Sequence, residues 1–507
     1  MLRILCALLL ALGGCAGLPG KVEREPSHAL SDTRDTRLGR AVAAAVAAHP
    51  GKTGIRPLSR GRDAFAARVL LAHAAERSLD VQYYIFRNDV TGRLLCEALW
   101  EAAERGVRVR LLIDDANTRG LDEALAVLDS HANIEVRLFN PYANRGFRLG
   151  ELMTDFSRVN RRMHNKSFTA DNQVAIVGGR NVGDQYYGAE SAVEFADLDV
   201  LAAGAVVREV SAEFDAYWNS ESAYPVAALI PHAPPEGAAQ VRDAWARLHG
   251  DPRAAAYVEA VRATPLVQQL LAGRLPLEWV TAHVVADDPA KVLQPPERTE
   301  LHLLPRLTAA LGKPQRELDL VSPYFVPAEE GTAALGALAQ RGVKVRVLTN
   351  SLAATDVAPV HAGYAKYRKA LLRAGVRLYE LKPSAAKQDD ASRGGAGSSD
   401  ASLHAKTFAV DRDRVFVGSF NFDPRSARLN TEMGIVIESS SLASQLSSAL
   451  DAVLPGNAYE LRLVDDKVQW IERDGAGETI HASEPGAGFF QSLWVGLLSL
   501  LPIEWLL

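Results

Sequence analysis

The sequence predicts an α/β protein of two pseudo-symmetric halves, each a mostly parallel sheet flanked by helices, with both halves facing one cleft. Three observations carry this. Strand-like apolar runs alternate with helix-periodic segments, the signature of βαβ units. The alternation occurs twice. A short polar pattern recurs at the same place in each copy: His164-Asn165-Lys166 with Asp171 and Gly178-Gly179-Arg180-Asn181, then His404-Ala405-Lys406 with Asp411 and Gly418-Ser419-Phe420-Asn421. The offset between the two histidines is 404 − 164 = 240 residues.

In the first half, residues 79–86 (LDVQYYIF) are rich in aromatic and β-branched side chains and predict a buried strand. A helical pattern follows over 92–104, ended by Arg105-Gly106, and residues 107–113 (VRVRLLI) predict the next strand. In the second half the order repeats: strand 318–326, helix 331–340, Arg341-Gly342, strand 343–348. Residues 134–139 and 376–379 match as third strands, and 174–177 and 415–417 as short strands that end at glycine. The chain divides into a leader (1–15), a polar tether (16–58), a first half (59–222, motif 158–185), a Pro/Ala-rich, partly helical insertion (223–300), a second half (301–455, motif 398–425) and a C-terminal segment (456–507). The stretch 384–402 is too Gly/Ser-rich for regular structure and predicts a surface loop. The apolar residues of 489–507 fall at helical spacing and suit an interfacial helix or a core-packed one.

Hydrophobic residues make up 48% of the chain and charged residues 23%, an ordinary globular balance. A formal net charge of -5 gives no basic footprint for nucleic acid. Cys6 and Cys15 lie in the leader and Cys96 in a helical core pattern, so neither a disulfide framework nor a metal cluster is expected, and no cofactor. A basic start, an apolar run and Leu-Gly-Gly-Cys resemble a bacterial lipobox, which predicts export and acylation at Cys15 on a membrane, inner or outer.

Side chains on a strand alternate faces, so His164 and Lys166 point the same way, as do His404 and Lys406. Two imidazoles, two ammonium groups and two amides suit displacement at a phosphodiester. One imidazole attacks phosphorus, the other protonates the leaving alcohol, and the lysines with Asn181 and Asn421 stabilise the equatorial oxygens. A histidine also needs a partner for its second nitrogen. Asp197 and Glu432, each opening an apolar strand after a motif, are the expected orienting carboxylates. Gly179, Arg180 and Ser419 are expected to approach a phosphate, and Tyr84 and Tyr324, near matching strand ends, to line the cleft. Arg158, Arg161 and Arg162 form either a lipid-facing or a solvated basic patch. His361, Tyr364 and Arg368 share a helical face, which suits a surface or packing role rather than a contact with a lipid headgroup.

These residues resemble the phospholipase D superfamily, whose signature is His-x-Lys-x4-Asp twice. The likeness runs from about Phe65 to Ser440 and is similar in detail to bacterial cardiolipin synthases of the C type. It is carried by the stretches 162–184, 360–372, 402–411, 418–434 and the terminal LLPIEWLL. The resemblance implies direct roles for His164, Lys166, Asn181, His404, Lys406 and Asn421, and structural roles for Asp171 and Asp411. It implies a phosphatidyl group carried on one histidine (His164, with His404 as acid/base) and passed to phosphatidylglycerol to give cardiolipin. The donor would be phosphatidylglycerol or phosphatidylethanolamine. A phospholipase D-type hydrolase releasing phosphatidic acid is the alternative, and a scaffold with a vestigial site a third reading. Oligomeric state is left open.

Overall fold

The computed structural model describes residues 17–20, 22–189, 196–271, 275–383, 403–474, 477–488, 494–495, 497–499 and 504–507. The leader with Cys15, the 384–402 stretch and part of the apolar tail lie outside the described residues. The first half contributes strands β1 (Thr53–Leu58), β2 (Ser78–Tyr83), β3 (Arg108–Asp114), β4 (Ile134–Phe139), β5 (Ser167–Ala170), β6 (Val174–Gly178), β7 (Asp199–Gly204) and β8 (Ala223–Pro225). Their order across the sheet is β8-β4-β3-β2-β5-β6-β7-β1. β9 (Glu278–Ala286) follows, then β10 (Glu317–Val321), β11 (Lys344–Asn350), β12 (Arg377–Leu381), β13 (Lys406–Val410), β14 (Arg414–Gly418), β15 (Met433–Glu438), β16 (Ala458–Val464), β17 (Lys467–Asp474) and β18 (Gly477–His481). The second sheet repeats the first, β12-β11-β10-β13-β14-β15.

The expectation of mostly parallel sheets needs correction: they are mixed. Only β2–β3–β4 and β10–β11–β12 pair in parallel, joined by the crossover helices Val90–Glu104 and Ala328–Gln340 and by the segments that lead into β4 and β12. After the third strand each half continues in antiparallel strands, of which β5–β6 and β13–β14 are hairpins whose tight turns permit only antiparallel pairing. The β5–β6 turn carries left-handed backbone at Asp171 and Asn172 (φ 51 and 50), and the β13–β14 turn at Asp411 and Arg412 (φ 54 and 56).

Three segments differ from their expected roles. Residues 24–58 are strapped to the first half rather than free. Arg24 donates to Ala223 O, the Arg110 guanidinium to Ser27 O and that of Arg137 to Glu25 O, and β1 pairs with β7. The 223–300 insertion holds the expected helices (Gly237–His249, Pro252–Arg262, Pro265–Leu271) but ends in β9. That strand pairs with both β15 and β1 and stitches the two sheets together. Residues 458–481 extend the second sheet through β16, β17 and β18.

Each half has its own core. A third core lies between them, where Ala175, Val177, Val200 and Ala202 of β6 and β7 meet Val415, Val417, Ile435 and Ile437 of β14 and β15. All eight are alternate, fully covered strand positions, so the halves bury apolar surface against each other and hold the motif strands in fixed register.

Candidate active site

The motif histidines are placed by backbone pairing across the halves. His164 N donates to Thr431 O at 2.8 Å, and Thr431 N to Arg162 O at 2.9 Å. His404 N and Ala405 N donate to Ala196 O at 3.0 and 2.9 Å. Each motif therefore runs beside the residue that precedes the other half's carboxylate. The consequence is a crossed arrangement. Glu432 Oε2 lies 2.9 Å from His164 Nδ1, and Asp197 Oδ2 lies 2.6 Å from His404 Nδ1.

The second contact of His164 fixes its tautomer. Nδ1 is also 3.1 Å from the Ser419 carbonyl, which can only accept. Nδ1 therefore carries the hydrogen, and Nε2 keeps its lone pair. Each ring is braced edge-to-face by a tyrosine, Tyr84 on His164 at 4.9 Å and Tyr186 on His404 at 5.1 Å. Lys166 and Lys406 each curl back to donate to the carbonyl of their own motif histidine. Lys166 Nζ sits 5.5 Å above the Tyr84 ring.

The charges form one system. Burial, then Lys166 and Lys406, push His164 well below its ordinary value. Burial, then Lys406, lower His404 to about 4 against the opposing pull of Asp197, and Lys166 adds to the lowering. Burial pushes Lys166 well down and brings Lys406 to about 8, opposed in each case by Glu432 and Asp197. Both lysines thus act on both imidazoles, so the two sets share one cleft. The carboxylates differ: burial lifts Glu432 to about 7, whereas His404 and Lys406 outweigh burial at Asp197 and hold it below the carboxylate range.

Asp171 and Asp411 do structural work. Asp171 accepts from the backbone N–H groups of Glu76, Arg77 and Ser78, and Asp411 from those of Gln315, Arg316 and Glu317, in each case where the half's first parallel strand begins. Asn181 accepts from Ile85 N and donates to Tyr186 OH, both at 3.1 Å, so one amide hydrogen remains for a ligand. The buried Asn421 Oδ1 has no hydrogen-bond partner among the described residues.

Several expected phosphate contacts are corrected. Arg180 is fully buried and donates to the carbonyls of Leu58, Ser59, Tyr186 and Asp197. A Cβ on Gly179 would stand 2.2 Å from Asp197 Oδ1, so that glycine makes room for the carboxylate, not for a phosphate. The Ser419 hydroxyl bridges Met433 N and O, and its functional contact is the carbonyl on His164. Tyr84 lies at the site as expected. Tyr324 donates to Asp356 at 3.0 Å and is near enough to feel Tyr84 and Tyr186. Arg158 pairs with Asp155 and Glu151 and Arg162 with Asp114, and Arg161 donates to the carbonyls of Lys291, Val292 and Gln294. The set His361, Tyr364, Arg368 is a packed cluster around Glu380 and Glu484.

Sequence reasoning missed Tyr186, Ser426 and Asp287. Ser426 Oγ donates to Glu432 Oε1 at 2.8 Å, and Asp287 accepts from Glu432 N at 2.7 Å. Asp287 follows directly on β9, and nothing in its local sequence marks it. Ser426 lies in the short helix Pro424–Arg428, capped by Asp423, a readable signal that says nothing of Glu432.

A two-half fold that joins two histidine–lysine–asparagine sets at one cleft defines a phosphodiester-transfer enzyme of the phospholipase D superfamily. The family model described as "Cardiolipin synthase, PLD-like domain" matches residues 70–218 and 307–454, and the chain belongs to that family of phosphatidyltransferases. Cardiolipin synthase C of Escherichia coli is 49% identical over 474 residues, covering 93% of this chain and 100% of its own. An uncharacterised protein of Helicobacter pylori is 31% identical over 489 residues, 95% of each chain. The crystal structure of a phosphatidylserine synthase from Haemophilus influenzae shares the fold, with a TM-score of 0.56 at 12% identity over 93% of this chain and 100% of that one.

Proposed function

We propose that the protein makes cardiolipin by moving a phosphatidyl group from a donor phospholipid to the free hydroxyl of phosphatidylglycerol, through a phosphohistidine at His164. The observation that carries this reading is the crossed pairing of each histidine with the other half's carboxylate. It leaves Nε2 of His164 with a lone pair and gives His404 an ionised partner.

In the first step His164 Nε2 attacks phosphorus, the bond to the donor's headgroup oxygen breaks, and His404 delivers a proton to that oxygen. The lysines that depress both imidazoles are the charges a phosphodiester anion neutralises, so lipid binding lifts His404 towards its protonated form. In the second step neutral His404 takes the proton of the acceptor hydroxyl as its oxygen attacks phosphorus and the P–N bond breaks. The nucleophile is the histidine kept neutral. The acid/base is the one whose imidazolium Asp197 stabilises.

A membrane surface as the working place is supported by exposed apolar side chains. Phe147 (61% exposed), Leu149 (66%) and Met153 (83%) project from the segment that leads into the first motif. Trp494 and Leu497 are exposed on the C-terminal tail, and Arg425 ties that region together by donating to the carbonyls of Asn160, Leu506 and Leu507. No described helix is long and apolar enough to cross a membrane. The lipobox-like Leu-Gly-Gly-Cys sequence supports acylation at Cys15 of an exported chain as the anchor.

The test is purified protein incubated with phosphatidylglycerol vesicles, with and without phosphatidylethanolamine, followed by mass spectrometry. Cardiolipin with released glycerol or ethanolamine is expected, along with an acid-labile phosphatidyl adduct on the His164 peptide. Phosphatidic acid as the sole product would replace this reading with the hydrolase.

A further inference from the structure

The first half contains a gap that close-packed interiors do not leave without reason. It lies between the helix Val90–Glu104, the helix Asp122–Asp129 and the insertion helix Gly237–His249, and its volume is about 490 Å³. Its walls are mainly apolar, with Cys96, Leu125, Trp245 and Leu248, and Arg93 and Asp251 also line it. It is half open to solvent, and its size is that of a ligand pocket.

The chamber opens towards the catalytic cleft. Its mouth, at Phe86, Arg87, Asn88 and Leu121, is shared with a polar vestibule that adds Asn117 and Gln185. Those two lie beside the tyrosines that brace the histidines, Asn117 near Tyr84 and Gln185 near Tyr186. Arg87 is close enough to act on Tyr186. Arg87, Arg119 and Arg247 are exposed at this rim, and none of them forms an ion pair among the described residues. Beyond the bracing tyrosines, the environments run from a mainly cationic vestibule, which also contains Asp89, to the mainly apolar chamber. A cavity of about 580 Å³ in the second half has a more acidic rim, with Glu329, with Glu330 paired to Arg428 and with Glu504 paired to Lys366. A phosphodiester is drawn to the first rim more than to the second.

We propose that the first-half chamber holds one acyl chain of the phospholipid whose phosphodiester lies between His164 and His404. This rests on the phosphatidyl-transfer reading and adds to it a chain-length-selective subsite built by the 223–300 insertion. Bilayer interior and chamber are both apolar, so the chamber adds little affinity. It fixes where the phosphorus sits relative to His164, which is where orientation is worth most.

Two measurements test the subsite. In the first, His164→Ala protein is irradiated with a phosphatidylglycerol that carries a diazirine near the end of one acyl chain. Label on peptides containing Cys96, Leu125 or Trp245 is expected, and label confined to other peptides overturns the proposal. In the second, Ala244→Phe narrows the chamber from the insertion helix. The ratio of kcat/KM for dioleoyl- over dihexanoyl-phosphatidylglycerol should fall about tenfold, while Ala334→Phe, in the cavity of the second half, leaves that ratio where it was. An unchanged ratio in Ala244→Phe also overturns the proposal. The two readings fail separately: cardiolipin formed without label in the chamber removes the subsite alone, whereas label in the chamber of a protein that forms only phosphatidic acid removes the transfer reading alone.

Discussion

His164 and His404 leave equivalent strands and carry equivalent lysines, yet the two pockets hold their imidazoles differently. Nδ1 of His164 is placed between the Ser419 carbonyl at 3.1 Å and Glu432 at 2.9 Å, and burial lifts that glutamate to about 7. Nδ1 of His404 meets Asp197 at 2.6 Å, and Asp197 stays ionised. A neutral acceptor beside a nearly neutral acid suits a ring that must remain unprotonated and attack. A firm anion suits a ring that must gain and lose a proton. The symmetry of the repeat supplies two of everything, and in the proposed mechanism the unequal carboxylate environments divide the labour.

The comparison breaks most sharply at the histidines. His164→Ala and His404→Ala should each lower cardiolipin formation by about 10⁴-fold or more. With a p-nitrophenyl phosphodiester, whose leaving group needs no proton, His404→Ala should recover much of the first step and His164→Ala none, read as a burst of p-nitrophenolate. Equal recovery in both would remove the division of roles. The carboxylates come next. Asp197→Asn should cost about 10²- to 10³-fold in kcat, and Glu432→Gln about tenfold, because the Ser419 carbonyl still holds the tautomer of His164. Steady-state kinetics with the reverse ranking would overturn the assignment.

The structural aspartates should show the same inequality in stability. Asp171→Ala strands three backbone N–H groups at a fully buried site and should cost about 3 kcal/mol, and Asp411→Ala, slightly exposed, about 2 kcal/mol by denaturant unfolding. The smallest effect concerns pH. Lys406 lies at about 8, lowered by burial, so it loses its charge as pH rises through that value and kcat/KM should fall on the alkaline side. Lys406→Arg keeps its charge throughout and should move that limb up by a unit or more, even where its maximal rate is lower. An unmoved limb would assign it to another group.

Much of this was legible in the sequence, and unevenly. The crossover strands and helices of both halves announce themselves because apolar runs and helical periodicity are local properties; residues 134–139 form β4 with the predicted bounds. The hairpin strands made the sheets mixed, since pairing direction depends on where the chain turns rather than on what a strand contains. β9 and β16–β18 escaped notice. β9 carries Glu278, Thr281 and His283 among its apolar residues, and β17 and the edge strand β18 are largely polar, so neither region has a clean apolar pattern. Arg180 looked like a phosphate ligand because an arginine beside a glycine turn is what such a ligand resembles; its direction, inward to four carbonyls, is a tertiary fact.

By itself the sequence determined the candidate reacting groups, their duplication and the two acids that meet them, because strand parity and repeat spacing are written residue by residue. Only the tertiary structure decided which acid serves which histidine. Each motif pairs its backbone with the strand entrance of the other half, so Asp197 reaches His404 and Glu432 reaches His164 across the shared core. A chain read in order cannot show that exchange, since the contacts span 404 − 197 = 207 and 432 − 164 = 268 residues and are set by how two apolar faces pack.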